Sequence, residues 1–435
     1  MIKESSLLLA LATVGGCSDG MGPNPPPPET APTVDISVGF GDSPVAGTVM
    51  IRRQNLSEPW LFSVDIDSNG DADATGPIGS GADVPFEFAS PGVHRILVEL
   101  SLEGNRFETE RLVIVNDLTA SEVIRTVPIP VDDEPVVSLE GITIGGGGTG
   151  LELYVAMSLA RRVFRLDPST LEVQAEISLA SENVGTLEGM DLDPAGGFLY
   201  VVSKNQSLIS LTASDLTLSQ ILGVSGTAFT VYALSPGMVL SGGEGTVSLV
   251  DTNDGTIVNA RQIRGAVNFA VSSDGTMLGL IQRLDDGGQL IRFLAVPSLD
   301  DLESTNLPAG FLPKVVAFKP SQEKLYVLGE EPVVSGRARL ITIEVATGQI
   351  VADQVLEACG LCLSFTIANP YADSFDGRFV VFPTALGAYI VDVNLDLPIH
   401  RTGFSGCCNV ASSPTTNEFY FANTAGEVSI VRLNR

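Results

Sequence analysis

The chain predicts an all-β protein: a small antiparallel β-sandwich followed by a ring of repeated four-stranded sheets. Three observations carry this expectation. Short apolar runs rich in Val, Leu, Ile and Thr alternate with turns throughout the sequence. Forty-five glycines supply those turns. A unit of about 40 to 50 residues then recurs through the C-terminal two thirds, the period expected of an array of small sheets. No long segment shows the apolar period of an amphipathic helix.

The N-terminal end addresses the chain before it folds. Leu7 to Val14 is apolar, yet far shorter than the ~20 residues a membrane-crossing helix requires. Preceded by Lys3, it fits the core of an export signal. It stops at Val14-Gly15-Gly16-Cys17, which resembles the lipobox of bacterial lipoproteins. The resemblance implies cleavage before Cys17 and a diacylglyceryl group on its sulfur, hence a membrane partner reached through lipid. In lipoproteins of Gram-negative bacteria an aspartate after that cysteine favours the inner membrane. Ser18 stands here, so the resemblance implies an exported protein anchored at the outer membrane. Pro25 to Pro28 then favour an extended tether. The predicted organisation is a signal peptide over 1–16, a tether over 17–33, the sandwich over 34–131 and the repeat region over 132–435.

Charge excludes one class of partner. Fifty-two acidic against 24 basic residues give a net charge of −28, which repels nucleic acid.

Six strands are legible in the sandwich region: 34–38, 47–52, 60–66, 84–88, 94–102 and 107–115, the last two joined as a hairpin through Gly104-Asn105. The sequences SVDIDSNGDADA and FASPGVHRILVEL resemble bacterial immunoglobulin-like and carboxypeptidase-regulatory-like modules, which implies a spacer or adhesive unit. Within the first of them, Asp65, Asp67, Asn69, Asp71 and Asp73 alternate oxygen-bearing side chains with Gly70 in the sixth place, as a calcium loop does. The twelfth place holds Gly76 instead of a bidentate glutamate, and the flanks are strands. A hydrated hairpin turn, in which Asp, Asn and Gly serve the backbone, is the favoured reading.

In the repeat region, GMDLDPAGGFLYVVSKNQSLISLTASD, FAVSSDGTMLGLIQ, VVAFKPSQEKLYVLG and VASSPTTNEFYFANTAGEVSIVRL share an order of apolar run, turn, apolar run and third run. The turns fall at Pro194, Pro236, Asp274, Pro320, Pro370 and Pro414, the fifth being irregular because Asp376-Gly377 offers a second turn. With LEGITI at 139–144 as a first inner strand, seven units result, the pattern of a seven-bladed β-propeller. The copies resemble the YVTN family of propeller repeats. The last copy runs out after three strands, so its fourth must be borrowed, from 123–131 or 136–139, to avoid an open edge.

Several residues carry candidate chemistry. Gly145, Gly147 and Gly150 satisfy GxGxxG, but a strand instead of a helix follows, so a hairpin is expected and no dinucleotide site. Cys359, Cys362, Cys407 and Cys408 fall in two neighbouring connections and predict two disulfides in an exported protein; a four-thiolate zinc site is the lesser alternative, because its second pair is adjacent. A vicinal bridge at Cys407-Cys408 would match quinone-dependent propeller dehydrogenases, but their repeated tryptophans are missing, Trp60 being the only one and lying outside the repeats. Six residues before each turn stand Glu188, Thr230, Asn268, Lys314, Ser364 and Cys408, with Glu140 joining through the likeness of LEGITI to LEGMDL. Glu140, Glu188, Asn268 and Lys314 are the candidate ligand-binding set at the channel mouth. With two histidines and no GxSxG elbow, a serine triad is not expected. The expected function is a binding or scaffolding module for a protein, glycan or small ligand at the cell envelope. The alternative is a calcium-dependent propeller hydrolase of the lactonase or phytase type, which these features resemble only in fold.

Overall fold

The structure, a computed structural model, describes residues 32–52, 59–103, 105–130, 138–147, 150–331, 337–358, 371–384, 387–402 and 407–434. Cys17, Cys359, Cys362 and Ser364 lie outside these residues, as do the side chains of Cys407 and Cys408, so the predicted lipidation and disulfides fall outside what it describes. Every regular element among the described residues is a strand, and no helix there is long and apolar enough to cross a membrane. The chain divides into two compact units. One holds the described residues up to Asp117 with 337–340 and 351–358, and the other holds the rest.

In the first unit two sheets share one core. The three-stranded sheet orders Thr33–Ile36, Val45–Arg52 and Gly81–Phe88. The five-stranded sheet orders Phe40–Asp42, Asn105–Asn116, Gly92–Leu102, Leu61–Asp65 and Ala74–Pro77. Alternation turns Val49 and Ile51, Val84 and Phe86, and Ile96, Val98 and Leu100 inward around the fully buried Trp60. All six legible strands are present. Phe40–Asp42 and Ala74–Pro77, at three and four residues, were too short to read. Phe40–Asp42 also breaks the expected antiparallel order, because it runs parallel to Ile114–Asn116. Its partner is remote in sequence, so no hairpin dictates its direction.

Seven sheets of four antiparallel strands follow, all in the second unit except residues 337–340 and 351–358 of the fifth sheet, which fall in the first. Six of them link consecutive strands in chain order, over residues 139–178, 187–223, 230–262, 266–306, 312–358 and 372–401. The seventh combines Cys407–Ser412, Glu418–Asn423 and Glu427–Leu433 with Ser121–Pro128, which pairs along Glu427–Leu433. One of the two segments anticipated as the borrowed strand thus covers the otherwise open row of donors and acceptors. Ile129 N–H to Gly426 O and Asn434 N–H to Ala120 O, both 2.9 Å, bracket the pairing. Leu139–Gly147 pairs antiparallel with Gly150–Met157, Gly147 standing opposite Gly150, the pairing expected on either side of the glycine-rich stretch.

The first strand of each sheet is its inner strand. That of the first sheet neighbours that of the second, and so on from second to third, third to fourth, and fourth to fifth; the sixth neighbours the seventh, and the seventh neighbours the first. Polar side chains latch several of the sheets to a turn of the next. Tyr154 Oη donates to Ala213 O at 3.1 Å, Tyr200 Oη bonds Thr252 Oγ1 at 3.1 Å, and Tyr326 Oη donates to Asp396 Oδ1 at 2.7 Å. Thr305 Oγ1 reaches Gly348 O at 2.7 Å and Arg125 reaches Thr170 O at 2.9 Å in the same sense. Asp396 also binds Lys324, so the fifth-to-sixth latch is charged.

One turn is displaced from its expected place. The residue that closes each hairpin donates its N–H five residues ahead: Asp193 to Phe198, Ser272 to Met277, Lys319 to Lys324, Ser374 to Phe379 and Ser413 to Glu418. In the sixth sheet this closing residue is Ser374, so the turn uses Asp376-Gly377 and not Pro370. Gly377 takes φ of 67°, which glycine tolerates and proline cannot. In the fourth sheet the residue equivalent to Pro194 is Ser273 rather than Asp274.

Removing the Tyr326 hydroxyl leaves Asp396 short of a buried donor, and a hydrogen bond to a charged group contributes about 2 kcal/mol. Tyr326→Phe is expected to lower unfolding stability by about that amount in chemical denaturation, whereas a change under ~0.5 kcal/mol would deny the latch its role.

Candidate functional site

The residues expected at the channel mouth share a local device. The inner strands carry register shifts between Leu139 and Gly141, Leu187 and Met190, Ala266 and Asn268, Pro313 and Val315, and Cys407 and Asn409. A bulge re-aims the extra residue and bends the strand. In the first, fifth and seventh sheets that residue is Glu140, Lys314 or Cys408. In the fourth it is Val267, so Asn268 stands one place too far on, the consequence of taking Asp274 for the turn residue.

Glu140 and Glu188 do come together. Gly141 makes this possible, because a β-carbon there would lie 2.8 Å from Glu188 O. Ser138 Oγ donates to Glu140 Oε1 at 2.6 Å, and Thr186 Oγ1 donates to Glu188 Oε1 at 3.3 Å. Lys204 Nζ sits 3.0 Å from Glu188 Oε1. Burial raises the pKa of both carboxyls; the Ser138 bond and Lys204 oppose the rise at Glu140 while the Glu188 charge adds to it, and Lys204 and Thr186 oppose it at Glu188. Lys314 belongs elsewhere, its buried Nζ being 3.6 Å from Glu330 Oε2 of its own sheet, and burial lowers its pKa. Asn268 is buried with Oδ1 lacking a hydrogen-bond partner. The four candidates therefore make a carboxylate pair with a lysine, a separate ion pair and an isolated amide. They do not make one ligand shell.

A different constellation lies where the inner strands adjoin. Two residues before the closing residue of each turn, the inner strands carry Asp191, Ala233, Ala270, Ala317, Ala372 and Ala411, with Thr143 in the first sheet by the LEGITI likeness. Asp191 is thus the lone ionisable residue in an alanine column. Its Oδ2 accepts the Ala233 N–H of the third sheet at 2.9 Å, and Thr143 Oγ1 of the first approaches Oδ1 at 3.5 Å. The neighbouring columns are apolar except for Tyr232, Tyr371, Asp373 and Ser412. Tyr232 Oη donates to Phe269 O of the fourth sheet at 3.3 Å and interacts with the Tyr371 hydroxyl. Both phenols feel both carboxylates, so Asp191, Tyr232, Tyr371 and Asp373 form one patch. Beside it lies a cavity of about 190 Å³, lined by Ile142, Thr143, Tyr371, Ala372, Val410 and Ser412 among others.

Electrostatics mark this patch out. Burial pushes Asp373 up to about 7, and no other interaction opposes it. Burial pushes Asp191 up to about 6 against the pull of the Ala233 and Leu192 N–H groups. Burial and then the nearby charges raise both tyrosines, which stay neutral. Asp373 Oδ1 has no hydrogen-bond partner.

The calcium-like loop is a hairpin joining Leu61–Asp65 to Ala74–Pro77. Asp65, Asp67 and Asp73 bring carboxylate oxygens within 4.8 Å of one another. The carboxylates also hold the turn: Asp65 accepts the N–H groups of Asn69 and Gly70 at 3.3 and 2.9 Å, and Asp73 accepts that of Ile66 at 2.6 Å. Asn69 Oδ1 accepts the Asp71 N–H at 2.7 Å. Of the four candidate aspartates, three thus cluster, on the turn that was the favoured reading.

No family model matches the chain, and no curated protein matches it.

Asp373 yields a signed pH effect. Its folded pKa near 7 lies above the ordinary 3.8, so the folded state holds the proton more tightly, and the stability this contributes is present at low pH and lost as pH rises through about 7. Asp373→Asn is expected to raise stability at pH 8 by about 1–2 kcal/mol, less than the ~4 kcal/mol that a shift of about three units at ~1.4 kcal/mol each would give a fully buried group, and to change little at pH 4. Unfolding midpoints at the two pH values measure this, and equal effects at both would refute it.

Proposed function

We propose that this chain is a bacterial cell-envelope lipoprotein, held at the outer membrane through Cys17 and a proline-rich tether, whose second unit is a seven-bladed propeller that binds a small ligand at its centre. The immunoglobulin-like first unit serves as a spacer. The observation that carries the reading is the succession of inner strands from the first sheet to the fifth, and from the sixth through the seventh back to the first, with a cavity lined by Thr143, Tyr371 and Ser412 beside the Asp191, Tyr232 and Asp373 side chains. Convergent polar groups beside a cavity are a usual feature of a small-molecule site. The anchor rests on Val14-Gly15-Gly16-Cys17 alone.

The calcium-dependent hydrolase reading has less support. Lys204 already faces the Glu140–Glu188 pair, and among the described residues the one acidic trio sits in the first unit, on a hairpin turn. That trio is the remaining calcium candidate.

Thermal denaturation of the full-length chain against small cations, anions, sugars and peptides is expected to give at least one saturable rise in Tm. Ser412→Met, which fills the cavity, should abolish it. A flat panel, or a rise untouched by Ser412→Met, would remove the central site.

The export reading also requires bridged cysteines. Titration of the denatured, unreduced chain should find no free thiol among Cys359, Cys362, Cys407 and Cys408. Four free thiols there would exclude the disulfides.

A further inference from the structure

We infer that the cavity lined by Thr143, Tyr371 and Ser412 takes a small neutral polyhydroxylated molecule, a polyol or a single sugar, which donates hydroxyl protons to the wall. This rests on reading the second unit as a small-ligand module, and names the class of ligand.

Charge narrows the class first. The lining carries no lysine, arginine, histidine, aspartate or glutamate, and an ion taken out of water without a partner is costly. Asp191 and Asp373 belong to the patch beside the cavity and not to its wall. A cation would therefore meet no carboxylate on the wall, and an anion would meet only repulsion from behind it. An apolar ligand fits no better, because the surface that the lining presents is mostly polar despite Ile142, Ile144 and Val410. What remains is a neutral molecule that forms hydrogen bonds.

The direction of the protons decides how it forms them. A hydroxyl has one proton to give. Tyr232 spends its own on Phe269 O at 3.3 Å, so the proton between Tyr232 and Tyr371 belongs to Tyr371. Thr143 Oγ1 approaches Asp191 Oδ1 at 3.5 Å, and an ionised carboxylate can only accept. Both hydroxyls thus direct their protons to the protein and keep lone pairs for a ligand. Ser412 forms no side-chain hydrogen bond among the described residues, so it can give or receive. A wall richer in acceptors than in donors suits a ligand covered with O–H groups.

Size sets the upper bound. A cavity of about 190 Å³ holds about six waters at ~30 Å³ each. That is room for one sugar ring or a short polyol and too little for an oligosaccharide.

The test titrates the full-length chain at pH 8 with D-glucose, D-galactose, D-ribose, mannitol and myo-inositol, following heat of binding. Millimolar concentrations keep the general stabilising effect of such solutes out of the reading. Choline chloride and sodium acetate serve as charged probes. At least one sugar or polyol should bind saturably, at least tenfold more tightly than either ion. Ser412→Ala, which keeps the cavity open, should weaken that binding about fivefold, the loss expected for one hydrogen bond. Tyr371→Phe, which keeps the ring and removes an acceptor, should weaken it by a similar factor, and Thr143→Val gives a further reading if Tyr371→Phe does not fold. Tighter binding of either ion, or sugar binding unaltered in Ser412→Ala and in the second variant, would overturn the inference. If no sugar or polyol binds but an ion or a peptide raises Tm in the parent and not in Ser412→Met, the ligand class is wrong and the small-ligand module stands. If nothing binds, both fall.

Discussion

The second unit depends on how each inner strand disposes of its free edge. Four strands in a meander leave the first with unpaired donors and acceptors, and those groups must find partners. Side chains from adjacent sheets provide them: Asp191 accepts from Ala233, Tyr232 donates to Phe269 O, and Asn409 donates to Leu139 O at 3.1 Å. Asp191 and Tyr232 also belong to the patch that Tyr371 and Asp373 complete, so polar groups that satisfy backbone are the ones gathered there. The alanine column is the complement of this arrangement, because small residues let neighbouring inner strands approach.

The strand content, the seven-fold repeat, the hairpins at 92–116 and 139–157, and the need for a borrowed edge strand were all legible. Apolar runs alternate with turn residues at regular spacing, and that pattern is local. Register was less accessible. Pro370 was taken for the turn of the sixth unit, whereas Ser374 closes it and Ala372–Asp373 is the inner strand. A one-place slip at Asp274 likewise put Asn268 where Val267 belongs.

Alignment on the closing residue would have exposed the centre. It places Asp191 in a column of alanines shared only with Thr143, and Asp373 in a column of Leu, Val, Phe and Ile shared only with Ser412, which is where a charged residue needs a reason. The Glu140–Glu188 meeting was legible because its signal is a direct repeat, SLEG against TLEG. The pairing of Lys314 with Glu330 was not, because it runs across a hairpin whose bulge the sequence does not announce.

The pairing of Ser121–Pro128 with Glu427–Leu433 joins Thr126 to a serine 303 residues further along. A ribosome delivers one half of this clasp long before the other, and local contacts cannot bring them together early. The nascent chain therefore travels with its final sheet unzipped. Only the last residues synthesised can fasten it, so the sheet that joins both ends of the second unit is the last to close.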